Sequence, residues 1–371
     1  MRTAVVVGAG LAGLAAAGGL SRAGWQVTLL ERAERIAAPP TALVLGPDGR
    51  RALEALDPDG GWSAITTPLP PGGVRRPDGQ WLVTPRPRDG VAAVHREDLY
   101  DALVAGLGDR VEIRTGFRVT GVRAGHRQRP AVGDGQTYLE ADLIVAADGI
   151  DSVIRRHLAP EAVAVGSGFA SWQAVIPAFR APEVAAGGET LGAGYRFVSV
   201  PLGRRGVSWV ATAAGAARPE PPAVQLALLR RWFAGWHAPV GELLAATSPA
   251  DLVPQEVREL RPLPKTYVPR GVVLLGDAAH AMPHHLGQGA CLAFEDAATL
   301  GSLVAGVRPG PALAAALEEY DRLRHPRTTT VVRQNRRMSA VVQTRGRLAL
   351  RARDAALKAF PGRSTRWTPP G

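Results

Sequence analysis

The chain contains a single cysteine, Cys291, among its 371 residues. An intramolecular disulfide is therefore excluded, and a reducing cytoplasm is the expected setting. There is no uninterrupted apolar run of about 18 residues, so no membrane-spanning helix is expected. Arg2 ahead of an apolar stretch looks like the start of a secretory leader, but the stretch carries a nucleotide fingerprint and is read as part of the fold. Internal repeats and low-complexity tracts are absent. The net charge of +11 comes without any nucleic-acid motif or interleaved aromatics. From Tyr320 onward there are 13 Lys and Arg against two acids, Asp321 and Asp354, and the residues before carry 31 of each sign. The excess reads as a solvated basic face on C-terminal helices. No nucleic-acid or membrane partner is expected, and the oligomeric state stays open.

Against these absences stands a glycine-rich turn in a defined context. Ala4-Val5-Val6-Val7 suits a buried parallel strand, and an alanine-rich helix runs from Leu11 to Gly24. Between and into them lie Gly8, Ala9, Gly10, Leu11, Ala12 and Gly13. Gly8 permits the tight turn, Gly10 admits a pyrophosphate close to the backbone, and Gly13 lets helix and strand pack closely. The unpaired N–H groups of the helix start then face the phosphates. A second strand ends at Glu31, the distance at which an acid takes a ribose hydroxyl.

Two further motifs follow. The buried strand Leu143 to Ala147 ends at Asp148-Gly149, with Ser152 and Arg155 beyond. The strand Val272 to Leu275 ends at Gly276-Asp277-Ala278-Ala279-His280, and Gly287-Gln288-Gly289-Ala290 opens the next helix. Asp277 would sit at a sheet edge, where it can accept from ribitol hydroxyls. The positive end of the helix at Gly287 would stabilise a reduced isoalloxazine by about 1 kcal/mol or more. Between these motifs, residues from about 165 to 265 change to an antiparallel pattern: strands at Gly168–Pro177, Tyr195–Leu202 and Gly206–Thr212, then a helix from Ala223 to Trp236. The expected fold is α/β. A Rossmann-type FAD-binding domain (1–164 and 266–371, including the basic C-terminal helices) carries an inserted antiparallel-sheet substrate domain (165–265).

These three motifs, in this order, resemble the class A FAD-dependent monooxygenases, particularly the salicylate hydroxylase, urate hydroxylase and zeaxanthin epoxidase-like branch. The resemblance implies a para-hydroxybenzoate hydroxylase-like fold with FAD as cofactor. NADPH or NADH would be a transient donor, since no second GxGxxG follows. It further implies that Glu31 holds the adenosine ribose, Arg32 flanks the adenine, Val119 touches the adenine side through its backbone, and Arg96 contacts the flavin. Asp148 belongs to the motif linked to both FAD and the nicotinamide donor. The implied reaction is hydroxylation or epoxidation of a small, largely apolar aromatic or alkene substrate through a C4a-hydroperoxyflavin.

The chain departs from the family at one place. The usual proline before the Gly-Gln-Gly segment stands one position early, in Met282-Pro283-His284-His285-Leu286, and His284 takes its place. A loop histidine at the reactive flavin edge can donate to a substrate oxygen or accept a phenolic proton. Arg196, on the strand Tyr195-Arg196-Phe197, sits where urate hydroxylase-like members face an arginine into the pocket, which suits an anionic or carbonyl-bearing substrate. Trp172, Gln173 and Trp209 are further lining candidates, although buried tryptophans more often belong to the core. Two alternatives stay open: an FAD oxidase or dehydrogenase on the same fold, and a non-catalytic FAD-binding partner docked by its basic tail.

Overall fold

The computed structural model describes residues 1–85, 90–125, 129–184, 186–215 and 220–359. Its centre is a five-stranded parallel sheet in the order Val273–Leu274, Leu143–Ala146, Thr3–Val7, Gln26–Leu30, Val111–Arg114. The inner strands are near-continuous apolar runs because they are buried in one core with helix Leu11–Arg22 and with Val122, Val132 and Leu139 of a three-stranded antiparallel sheet, Gly121–Arg123, Ala131–Gly133 and Tyr138–Glu140. Val6, Leu29, Ile144 and Leu274 are each fully buried. Helix Leu11–Arg22 packs on this sheet and against helix Gly289–Leu303. Helix Pro47–Leu56 meets the same partner where a Cβ on Gly49 would lie 2.5 Å from the Cys291 sulfur. Cys291 is thus a packing residue, and burial pushes its thiol up to about 11.

The antiparallel layer is one seven-stranded sheet: Val253–Arg261, Val163–Ile176, Val207–Ala214, Tyr195–Pro201, Gly188–Leu191, Val74–Arg75, Trp81–Val83. Its last two strands come from outside the 165–265 segment, and Val74–Arg75 joins in parallel to Gly188–Leu191. The division of the chain is therefore less clean than the sequence pattern suggests. Short strands flanked by Pro and Gly are legible only through their pairing. Ahead of Gly121 the chain from Phe117 leaves the ladder. Only Gly121–Arg123 pairs, because Phe117 N–H is spent on the Glu31 carbonyl at 2.9 Å.

Alternation sorts the two faces of the large sheet. Trp172, Ala174, Phe197, Trp209 and Ala211 point toward helices Pro222–Trp232 and Val240–Ala246 and form a second core. Trp172 and Trp209 thus line no pocket, and their indole N–H groups are satisfied by Gln225 and Thr247. The opposite face carries Phe169, Ser171, Gln173 and Val175, paired in register with Ala214, Thr212, Val210 and Ser208. Val175, Val198 and Val200 on it pack with Ala42, Val44 and Ala93 from the nucleotide-binding part. This inner face is what the parallel sheet's ligand edge looks onto.

The basic C-terminal segment is two helices, Pro311–Val342 and Arg347–Ala359. The first runs unbroken through Pro326 for 32 residues and touches both the parallel-sheet part and the large sheet. Among the described residues no helix is long and apolar enough to cross a membrane.

Candidate active site

Because the central strands are parallel, their carboxyl ends lie along one edge, and the motifs at those ends become neighbours. Gly8 N–H bonds the Leu30 carbonyl at 2.7 Å, Ala147 N–H the Val7 carbonyl at 2.9 Å, and Leu275 N–H the Ala146 carbonyl at 3.0 Å. The glycine turn, Glu31, Asp148 and Gly276-Asp277 are brought together in this way. At Gly13 a Cβ would fall 1.8 Å from the Gly8 oxygen, and Gly8 itself has φ +99°. No other residue fits this turn without moving the helix off the strand.

Glu31 stands beside the turn as expected. Its Oε2 accepts from Ala9 N–H at 2.8 Å and its Oε1 from Ala33 N–H at 2.9 Å. Arg32 is exposed just beyond, and Val119 is buried close to the same strand end. Arg96 opens helix Arg96–Ala105, with Tyr100 one turn on and Asp277 within electrostatic reach. Its Nε is buried without a hydrogen-bond partner, and burial lowers its pKa. Gln288, at the start of helix Gly289–Leu303, likewise has a buried, unpartnered Oε1. Nothing lies within 4 Å of a Cβ built on Gly287 or Gly289, so this helix end is open to a ligand, with Ala290 directly behind. Orphaned polar atoms, a phosphate-sized turn, a carboxylate for ribose hydroxyls and an unobstructed positive helix end together match the parts of FAD. The residues present fit that cofactor.

Two residues do structural work that the sequence conceals. Asp148 Oδ2 accepts from Val153 N–H at 2.8 Å and so caps helix Val153–Leu158, while its Oδ1 is buried without a partner and burial raises its pKa. Arg155 is buried and donates to the carbonyls of Ile150, Ala162 and Ala278. It ties the Asp148-Gly149 turn to the Gly276-Asp277 turn.

Behind the second turn lies a buried charge network. Asp296 is fully buried; its Oδ2 accepts from His280 Nε2 at 2.6 Å and from Gly276 N–H at 3.2 Å, and its Oδ1 from Arg324 Nε at 2.7 Å. Arg324 also meets Glu295 at 2.9 Å, and Glu295 meets Arg327, which reaches Asp48. Burial would raise the Asp296 pKa, but His280 and Arg324 outweigh it and hold the carboxyl at about 2. Arg324 and Arg327 belong to the segment read from sequence as a solvated basic face, so this part of the excess charge is internal. No spacing in the sequence announces the pairing, which spans 28 residues and three elements.

The histidine loop is held from three sides. Asn335 is fully buried; its Oδ1 accepts from Leu286 N–H at 3.1 Å, and its Nδ2 lies 3.2 Å from the Met282 sulfur. Leu260 N–H bonds the Ala281 carbonyl at 3.0 Å. Arg196 Nη2 donates to the His285 carbonyl at 2.9 Å, and its Nε donates to Glu189 at 2.6 Å. Arg196 is thus a buried clamp on the loop rather than an exposed strand arginine. His284 reaches the inner sheet face, with Nε2 3.2 Å from Ser171 Oγ, and His285 stacks on Phe169 at 4.3 Å. Burial, followed by the nearby Arg196 charge, pushes His284 down to about 3 and His285 to about 2. Both rings are neutral at physiological pH.

A model for the FAD binding domain matches residues 97–335, and one for the NAD(P)-binding Rossmann-like domain matches 6–39. The chain belongs to the class A FAD-dependent monooxygenases. It is 29% identical to the aurachin C monooxygenase/isomerase of Stigmatella aurantiaca, over 96% of this chain and 94% of that protein. It is 33% identical to the 2-heptyl-3-hydroxy-4(1H)-quinolone synthase of Pseudomonas aeruginosa, over 81% and 80%. Among solved structures it resembles R204Q HpxO of Klebsiella pneumoniae complexed with FAD, with a TM-score of 0.83 and 26% identity over 97% and 95% of the two chains. This monooxygenase is an oxidoreductase with FAD as cofactor and NAD(P)H as electron donor.

Proposed function

We propose that this monooxygenase hydroxylates an aromatic ring held between the inner face of the seven-stranded sheet and the flavin, with His284 as the hydrogen-bonding partner of the substrate oxygen. The observation that supports this reading is a neutral imidazole, His284, with Nε2 3.2 Å from Ser171 Oγ on that face and the Arg196 and Arg96 charges near it. When bound, FAD supplies hydride acceptance and oxygen activation, which no side chain here can provide. Gly8, Gly10, Leu11, Ala12 and Gly13 bind its pyrophosphate; Glu31, Arg32 and Val119 its adenosine half; Arg96, Asp277, Gly287, Gln288, Gly289 and Ala290 its ribitol and ring. Asp148 and Arg155 hold the two carboxyl-end turns in register.

The neutral His284 imidazole hydrogen-bonds the phenolic or enolic oxygen of the substrate, and Ser171 fixes the imidazole's orientation. Arg196 acts through the loop. By holding the His285 carbonyl it keeps His284 aimed at the ring, where a small misplacement lowers the rate steeply. The valines at 175, 198, 200 and 210 exclude water from the reacting edge. The quinolone named among the relatives is a ring that a face of this composition can take.

The test is His284→Ala in FAD-loaded enzyme. Product formation should fall at least tenfold while ring-stimulated NAD(P)H oxidation continues, with the reducing equivalents leaving as hydrogen peroxide. Unchanged coupling would make His284 a bystander. Failure of any ring to take up an atom from labelled O2 would refute the assignment to this reaction.

A further inference from the structure

We infer that the substrate of this site is an uncharged ring bearing no carboxylate, and that the Arg196–Glu189 pair enforces this choice. The inference rests on the reading that the inner sheet face holds the substrate. One row across that face is Ser171, Thr212, Arg196 and Leu191, and the next is Gln173, Val210, Val198 and Glu189. The ionisable side chains of these two rows are Arg196 and Glu189, which lie diagonally across neighbouring strands.

A carboxylate needs a cation with donors to spare, and Arg196 has committed its charge and two of its donor groups. Its Nε is 2.6 Å from Glu189 Oε1 and its Nη2 is 2.9 Å from the His285 carbonyl, with the arginine 6% exposed. An anion laid against this pair meets Glu189 about as closely as Arg196, so the attraction is cancelled while the cost of removing the anion from water remains. Arg96, the next cation, lies on the flavin side with Asp277.

What the face offers instead is neutral. Thr212 Oγ1 is buried with no hydrogen-bond partner, and Ser171 carries a hydroxyl beside it. His285 is 3% exposed with neither ring nitrogen paired. Hydroxyls and neutral imidazoles can meet one N–H or O–H and one carbonyl of a ring, and the aliphatic rows suit an apolar substituent. Selectivity of this kind is strong because a mismatched ligand leaves buried polar groups unpaired.

The experiment titrates resting, FAD-loaded enzyme with matched rings, following perturbation of the flavin absorbance. Suitable pairs are salicylamide against salicylate, and 4-oxo-1H-quinoline-2-carboxamide against its carboxylate. The amide should bind at least tenfold more tightly in the parent enzyme. Glu189→Gln, which frees the Arg196 charge, should raise carboxylate affinity at least tenfold, leave the amide within about threefold, and lose most of the gain at high salt. A parent enzyme in which no amide outbinds its carboxylate overturns the inference, and that measurement needs no variant to fold. An amide-to-carboxylate ratio unchanged in flavin-loaded Glu189→Gln overturns it equally. These titrations read binding without turnover. Rings that bind with the stated selectivity yet receive no oxygen would refute the proposed reaction and leave the charge assignment standing.

Discussion

Asp296→Asn probes the buried network behind the second turn. The side chain keeps its shape, but the amide cannot accept from His280, Gly276 N–H and Arg324 together, so at least one buried donor loses its partner. Breaking a buried pair from one side typically costs about 3 to 5 kcal/mol. The pH dependence gives a second, independent measure. The Asp296 carboxyl is held at about 2 against an ordinary 3.8, a difference worth about 2 kcal/mol. A depressed acid stabilises the fold above the unfolded pKa, and this contribution is lost as pH falls from about 4 through about 2. The variant should therefore melt about 5 to 10 °C lower at pH 7. It should also release FAD more readily, since Gly276 and Asp277 lose their support, and its stability should fall less between pH 4 and 2 than the parent's. Calorimetry across pH, with flavin fluorescence as a release signal, measures all three. A variant within about 1 kcal/mol of the parent at pH 7, with an unchanged acid limb, would refute the claim that this network holds the turn.

Gly13→Ala places a methyl group 1.8 Å from the Gly8 oxygen, so any protein recovered should carry no flavin; a yellow, FAD-loaded variant contradicts the turn geometry. Glu31→Ala should weaken FAD binding by about 1 to 3 kcal/mol in reconstitution titrations, and unchanged affinity would mean that Glu31 does not reach the ribose. His284 and His285 are held neutral well below 6.5, so the unfolded chain takes up protons first and stability should decline as pH falls below about 6.5. His285→Phe should flatten that decline in pH-resolved melting, and an unaltered slope would show the ring to be freely protonated. In the second C-terminal helix, Arg347→Gln with Arg351→Gln should leave flux and stability alone, as both are exposed. Arg353→Gln should loosen the helix from the sheet edge, because Arg353 donates to the Gly192 carbonyl at 2.7 Å; hydrogen exchange across 347–359 distinguishes the two variants.

The strand, turn, helix and acid from Thr3 to Glu31 were readable because each step is local: a short apolar run, glycines at fixed offsets and a helix start, all within about 30 residues. The strand ends at Asp148 and Gly276 were readable for the same reason, and parallel pairing made them neighbours. The sequence alone therefore determined the fold class, the cofactor and the strand ends proposed to hold it. It also exposed the displaced proline and with it His284. Which face each sheet residue takes depended on register across strands far apart in the chain, so Trp172 and Trp209 looked like pocket candidates while Ser171 and Thr212 went unnoticed. Charge was the least legible property. Whether an arginine is a solvated surface group, a clamp such as Arg155 and Arg196, or a buried partner such as Arg324 is set by which carboxylates and carbonyls the fold brings within about 3 Å, and Coulomb energy between groups tens of residues apart has no signature in local pattern.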